Sequence, residues 1–154
     1  MKDSSNTEPA EIEALDQVIF YKLERAIKAY RQFAQRELRK AGFSITIDQW
    51  LTIKNISEHP GIKQNDLAER VFKDNASITR IIDILVKAEY LDRTVRNDDR
   101  RRTSLSVTLK GQRVIEAVER AVKRNRATAL SGVSQKDLEL LAKIAGTIIG
   151  NCKA

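Results

Sequence analysis

Apolar residues recur at three- and four-residue spacing through most of this chain and switch to alternation only between Leu91 and Val107. The first run, Ile12, Leu15, Ile19, Leu23, Ala26, Tyr30 and Phe33, predicts a long helix from about Glu11 to Lys40, with Gly42 as its stop. Thr46-Ile47-Asp48-Gln49 is a capping box that opens a second helix, whose apolar face is Trp50, Leu51, Ile53 and Ile56. His59-Pro60-Gly61 ends it. A short amphipathic helix follows over Asn65–Val71, and residues 74–89 read as another, with Asp74 or Asn75 as cap. In that last helix Ile78, Ile81, Ile82 and Leu85 should be buried, leaving Asn75, Ser77, Thr79, Arg80 and Asp83 on or near the opposite face. Leu91, Arg93 and Val95, then Thr103, Leu105 and Val107, alternate as strands do. Helical spacing resumes near Thr108 with Val114, Val118, Ala121 and Val122. A second capping box, Ser134-Gln135-Lys136-Asp137, opens the terminal helix, striped by Leu138, Leu141, Ala145, Ile148 and Cys152 and widened by Leu140, Ile144 and Ile149.

Two short helices joined by a tight turn make a helix-turn-helix, the unit whose second helix enters a DNA major groove. The hairpin after it carries Arg96, Arg100, Arg101 and Arg102 in its turn, and arginine suits a narrow, strongly negative minor groove. The expected fold is therefore mainly α with a small β-wing (α+β): a winged helix-turn-helix with long N- and C-terminal dimerisation helices. Residues 1–10 are expected to be a disordered lead and residues 11–154 a single domain. Its winged lobe should span about 44–108, and the dimerisation helices about 11–40, 109–130 and 134–152. A helix of about thirty residues spans roughly 45 Å, longer than a compact domain of this size needs. Its stripe and that of the terminal helix call for a second subunit, most simply a two-fold homodimer. Gly146 and Gly150 sit one turn apart in the terminal helix and fit either close helix approach at a dimer axis or plain weak spots.

The formal net charge of +7 and pI near 9.7 point to an anionic partner. The polar start of the chain lacks a signal core, and no apolar run approaches the ~18 residues that cross a bilayer, so the expected address is the cytoplasm, away from membrane. The single cysteine excludes an internal disulfide and a cysteine-only metal cage. Cys152 is expected to be a small buried residue at the end of the terminal stripe. His59, beside Pro-Gly and without companion ligands, reads as a turn residue. With no phosphate-cradling glycine loop, metal cluster or matched nucleophile and base, an enzyme is not expected, and neither is a cofactor.

The stretch from Thr46 to Gly111 resembles the MarR family of winged-helix transcriptional regulators. The resemblance rests on TIDQWLTIKNISEHPG, IKQNDLAERV, ASITRIIDILVKAEYLDR and NDDRRRTSLSVTLKG, which carries an Asp-x-Arg wing signature at Asp99-Arg100-Arg101. Two departures stand out. Lys63 takes the place of a Ser or Thr cap, and Phe72-Lys73 replaces a glycine-containing turn, with Phe72 expected to plug the core of the lobe.

Base-reading roles fall to Ser77, Thr79 and Arg80 near the start of the recognition helix, with Asn75 either reading adenine or only capping. Lys63 and Gln64 can meet phosphate at the N-terminus of the preceding helix. The resemblance implies that Arg101 enters the minor groove with Asp99 as its salt-bridge partner, while Arg96, Arg100 and Arg102 add phosphate contacts. It also implies a homodimer on double-stranded, palindromic DNA, repression, and release by a small aromatic or phenolic ligand. Tyr21, Phe33, Phe43 and Trp50 are the candidates to line such a pocket, their alternative being ordinary core. A rival reading is an RNA-binding or protein-docking winged helix without an operator, which the cluster Arg120, Lys123, Arg124 and Arg126 permits. The shortage of exposed aromatics for base stacking weighs against RNA.

Overall fold

A computed structural model describes residues 12–96 and 99–154, apart from the side chains of 96–102. The expected lead over 1–10 lies outside the described residues. Six helices and one hairpin follow in the order α1 (Ile19–Lys40), α2 (Ile47–Glu58), α3 (Gln64–Val71), α4 (Asn75–Lys87), β1 (Leu91–Arg96), β2 (Asp99–Val107), α5 (Leu109–Ala129) and α6 (Gln135–Lys153). The fold is mostly helical with a small antiparallel sheet, as a winged helix requires. No described helix is long and apolar enough to cross a membrane.

The lobe is built by the faces that the spacing marks. Ile53 of α2, Leu67 of α3, Ile78, Ile82 and Leu85 of α4 and Leu91 of β1 are fully buried against one another, while Ile81 packs at the margin. Ile115 and Val118 of α5 close the cluster from the other side, and Ala34 and Leu38 are the two residues that α1 buries. Each fully buried aliphatic side chain contributes about 1.5–3 kcal/mol, which is ample to hold helices as short as α3 that could not stand alone. Both capping boxes form at least in part: Thr46 Oγ1 accepts from the Gln49 N–H at 3.1 Å while Gln49 Oε1 accepts from the Thr46 N–H at 3.0 Å. Ser134 Oγ accepts from the Asp137 N–H at 3.1 Å. Thr108 caps α5 by accepting from the Gly111 N–H at 2.9 Å. Gly111 is required there, because a Cβ would lie 2.2 Å from the Tyr90 carbonyl oxygen and 2.9 Å from Val107 Cγ1.

Four expectations are corrected. The first helix does not run from Glu11: α1 begins at Ile19, behind a 3-10 turn at Leu15–Gln17 and an extended Val18 that offers no side-chain cap. Ile12 and Leu15 are exposed, so nothing among the described residues stabilises an earlier turn against the cost of helix growth. The turn of the hairpin is also tighter than Arg96–Arg102. The strands pair from Leu91 with Val107 to Val95 with Thr103, then the register shifts so that Arg96 faces Asp99 and residues 100–102 fall between paired positions.

Phe72 does not plug the core. It is 81% exposed, with φ 61° and ψ 39°, in the left-handed position that ends α3. The Lys73 N–H donates to the Ala68 carbonyl and the Phe72 N–H to that of Glu69, closing a Schellman turn that turns this side chain outward. A left-handed L-residue costs about 1–2 kcal/mol, and here the turn bears that cost without a glycine. Cys152 is exposed as well, since α6 buries no residue: Leu140, Leu141, Ile144 and Ile149 stay 46–55% exposed.

Candidate nucleic-acid interface

The exposed face of α4 is organised from its first turn. The cap falls to Asp74 and not to Asn75: Asp74 Oδ1 accepts from the Ser77 N–H at 2.7 Å, and Oδ2 accepts from the Ser77 hydroxyl at 3.0 Å. The Ser77 backbone N–H first, and its hydroxyl second, hold the Asp74 carboxyl below its ordinary value of 3.8. A group lowered in this way stabilises the fold fully above its unfolded value and loses that contribution as pH falls through the lower folded one. The stability advantage of the wild type over Asp74→Ala, measured by urea unfolding, should therefore hold above pH 3.8 and shrink below it.

Asn75 contributes its carbonyl, which accepts from Thr79 Oγ1 at 2.8 Å; the same Thr79 oxygen accepts from Gln64 Nε2 at 2.7 Å. Gln64 thus ties the start of α3 to α4. Asn75, Thr79 and Arg80 are exposed on this face, Ser77 is half-buried, and Lys63 and Gln64 are exposed beside them. Lys63 occupies the cap position of α3 without a side-chain hydrogen bond to it. One turn beyond Arg80, Asp83 accepts from Arg93 Nη2 of β1 at 2.7 Å. This pair links the helix to the base of the hairpin. Its signal in the sequence was a strand alternation that gave Arg93 no partner, so its role was not legible there. The side chains of Arg96, Asp99, Arg100, Arg101 and Arg102 lie outside the described residues; their backbone belongs to the two paired strands beside α4.

Between α1, α2 and α5 lies a cavity of about 280 Å³. Ile27 and Ala34 of α1, Ile47 and Leu51 of α2 and Val122 of α5 form apolar walls. Tyr30, Arg31, Trp50, Phe72 and Arg126 complete the lining. Trp50 is 7% exposed, and its Nε1 is buried with no hydrogen-bond partner among the described residues. Of the four aromatics expected to line a pocket, only Trp50 lines this one. Tyr21 lies 5.9 Å from the Arg25 guanidinium, Phe33 lies 5.6 Å from that of Arg36, and Phe43 packs on the core of the lobe. They belong to other faces of the long helix and to the loop after it. Tyr30 and Phe72 line the cavity instead, the latter because of the left-handed turn that no spacing rule foresees.

The model of the MarR family matches residues 45–103, the stretch that holds α2, α3, α4 and most of the hairpin. Over residues 45–103 the chain is therefore similar to the MarR family. Solved structures extend the likeness in fold to the helices on either side. A probable transcriptional regulator from Pseudomonas aeruginosa is 25% identical with a TM-score of 0.77, over 88% of this chain and 99% of that one. MepR of S. aureus, solved as a DNA complex, is 20% identical with a TM-score of 0.75, over 90% of this chain and 99% of that one. BpsR of Bordetella bronchiseptica, whose DNA binding is regulated by 6-hydroxynicotinic acid, is 14% identical with a TM-score of 0.80, over 90% of this chain and 97% of that one.

Proposed function

We propose that this protein binds a palindromic DNA operator as a homodimer, acts there as a repressor, and is released by a small aromatic or phenolic ligand. The observation that carries the DNA reading is the exposed polar face of α4, ending in Arg80 and fixed by Asp83–Arg93 to a hairpin whose strands carry Arg96, Arg100, Arg101 and Arg102. Arg80 is assigned to a guanine edge, Ser77, Thr79 and Asn75 to neighbouring bases, and Lys63 and Gln64 to phosphate. Arg101, held by Asp99, is assigned to the minor groove, with Arg96, Arg100 and Arg102 on the backbone. A homodimer is supported by the uncovered stripe of α6 and by the exposed Ile12, Leu15, Ile19 and Phe20 ahead of and within α1. Ligand release is supported by the cavity and by what regulates BpsR.

Selection from random duplexes tests the reading. A two-fold symmetric site should emerge, with half-sites about one helical turn apart. Against that site, Arg80→Ala should weaken binding by about 1–3 kcal/mol and relax the preference at one base pair per half-site. Arg101→Ala should weaken all duplexes alike and lower the salt dependence by about one phosphate per subunit. Unchanged titrations of both variants would sink these assignments.

A further inference from the structure

Arg113, Arg120, Lys123, Arg124 and Arg126 of α5 form no ion pair among the described residues. Arg126 turns to the cavity and parts from the others. Arg113, Arg120 and Arg124 follow one another at intervals of seven and four residues, which is one line along a helix, and Lys123 stands beside it. The line lies opposite the face that buries Gly111, Ile115, Val118 and Val122, so all four side chains are exposed. From Arg113 to Arg124 it runs about 16 Å. Glu116 is the single carboxylate on it, and Glu119, on the flank, is engaged by Lys54 of α2 at 3.1 Å. We infer, on the DNA-binding reading above, that this face of α5 is a second DNA contact, which holds the phosphates of duplex flanking the operator.

Charge and composition select the partner. Four cations in so short a line repel one another, and a polyanion of matching length relieves them. A duplex carries one charge per about 1.7 Å of axis, so an equal length of it presents roughly nine phosphates. Leu109, at the head of the helix, is the one large apolar side chain that α5 exposes, and no aromatic interleaves the arginines. The line therefore offers no ring on which a single strand could stack, no anchor for a protein partner and no apolar face for a lipid surface. Phosphate contact without base selection is what remains. Position supplies the rest. β2 ends at Val107 and Thr108 caps α5, so Arg113 stands less than two turns beyond the wing. A duplex gripped at the hairpin meets Arg113 first and, bending along α5, Arg120 and Arg124 after it.

Titration of the full chain with two duplexes tests this, one trimmed to the selected half-sites and one extended by about two helical turns on each side. The wild type should bind the extended duplex about tenfold more tightly at physiological salt, with a salt slope steeper by about 0.9 for each added phosphate. Energy transfer between dyes on the ends of the extended duplex should report a bend. The triple variant Arg113→Gln, Arg120→Gln, Arg124→Gln should bind the trimmed duplex as the wild type does and lose both the gain and the bend. Arg120→Gln alone, at one exposed position, should lower the slope on the extended duplex by about 0.9 per subunit, which keeps the test open if the triple variant unfolds. A wild type with no preference for the trimmed site over random duplex would remove the operator reading itself. Equal wild-type binding to both duplexes would overturn the α5 contact alone. So would a gain that survives in the folded variants, leaving the line to an acidic protein surface, or an equal loss on both duplexes, which is long-range attraction and not contact.

Discussion

Replacing Leu141 and Ile144 of α6 together by aspartate is expected to halve the particle mass in sedimentation and to abolish operator binding. Both residues are about half exposed in the single chain, on a helix that buries nothing of its own. Covering Leu140, Leu141, Ile144 and Ile149 with a second copy would contribute up to about 1 kcal/mol for each half-exposed side chain, and symmetry doubles the sum. A carboxylate at such a contact reverses the sign, since an unpaired buried charge costs several kcal/mol. Loss of the second half-site then removes an effective-concentration gain on the order of a hundredfold or more. The two substitutions lie on an exposed face, so helicity by circular dichroism should persist. A double variant with unchanged mass would show that this face is not the contact between copies.

The lobe was legible because its signals are local. Thr46 and Gln49 state a helix start by themselves, and Ile78, Ile82 and Leu85 mark a buried face by spacing alone. The alternation from Leu91 to Val107 likewise names a hairpin before any contact is known. What stayed hidden depends on where the chain goes next. Helical spacing from Ile12 onward continues through residues that nothing among the described residues covers, so the periodic stripe overstated α1. Phe72 reads as core by residue type, yet its place in a Schellman turn sends it outward. The same turn brings it to the cavity rim, while Tyr21, Phe33 and Phe43, chosen for aromatic character, face elsewhere. Pockets are made by the crossing of elements, and composition carries little of that information.

Gly111→Ala should be the most damaging single substitution in the lobe. The added methyl would meet the Tyr90 carbonyl oxygen at 2.2 Å, and that oxygen already accepts from the Thr108 N–H at 3.1 Å. Backbone cannot swing aside as a side chain can, so Tyr90 at the head of β1 and α5 must separate, at a cost of about 3 kcal/mol or more. The midpoint of urea unfolding should fall steeply, and the selected duplex should be bound only by the remaining folded fraction. A variant that keeps its wild-type midpoint would mean that Tyr90 and the start of α5 pack less rigidly than this contact requires.

In the base-reading role proposed for Thr79, its hydrogen bonds narrow what it can contact. Its single hydroxyl proton goes to the Asn75 carbonyl, and one lone pair takes the proton offered by Gln64. A methyl group and one acceptor site are what remain outward. In a major groove, the 5-methyl of thymine and the exocyclic amine of adenine or cytosine suit that surface, whereas a keto oxygen finds no donor there. In that proposed role, the vocabulary of this position is cut to part of the genetic alphabet before any nucleic acid arrives.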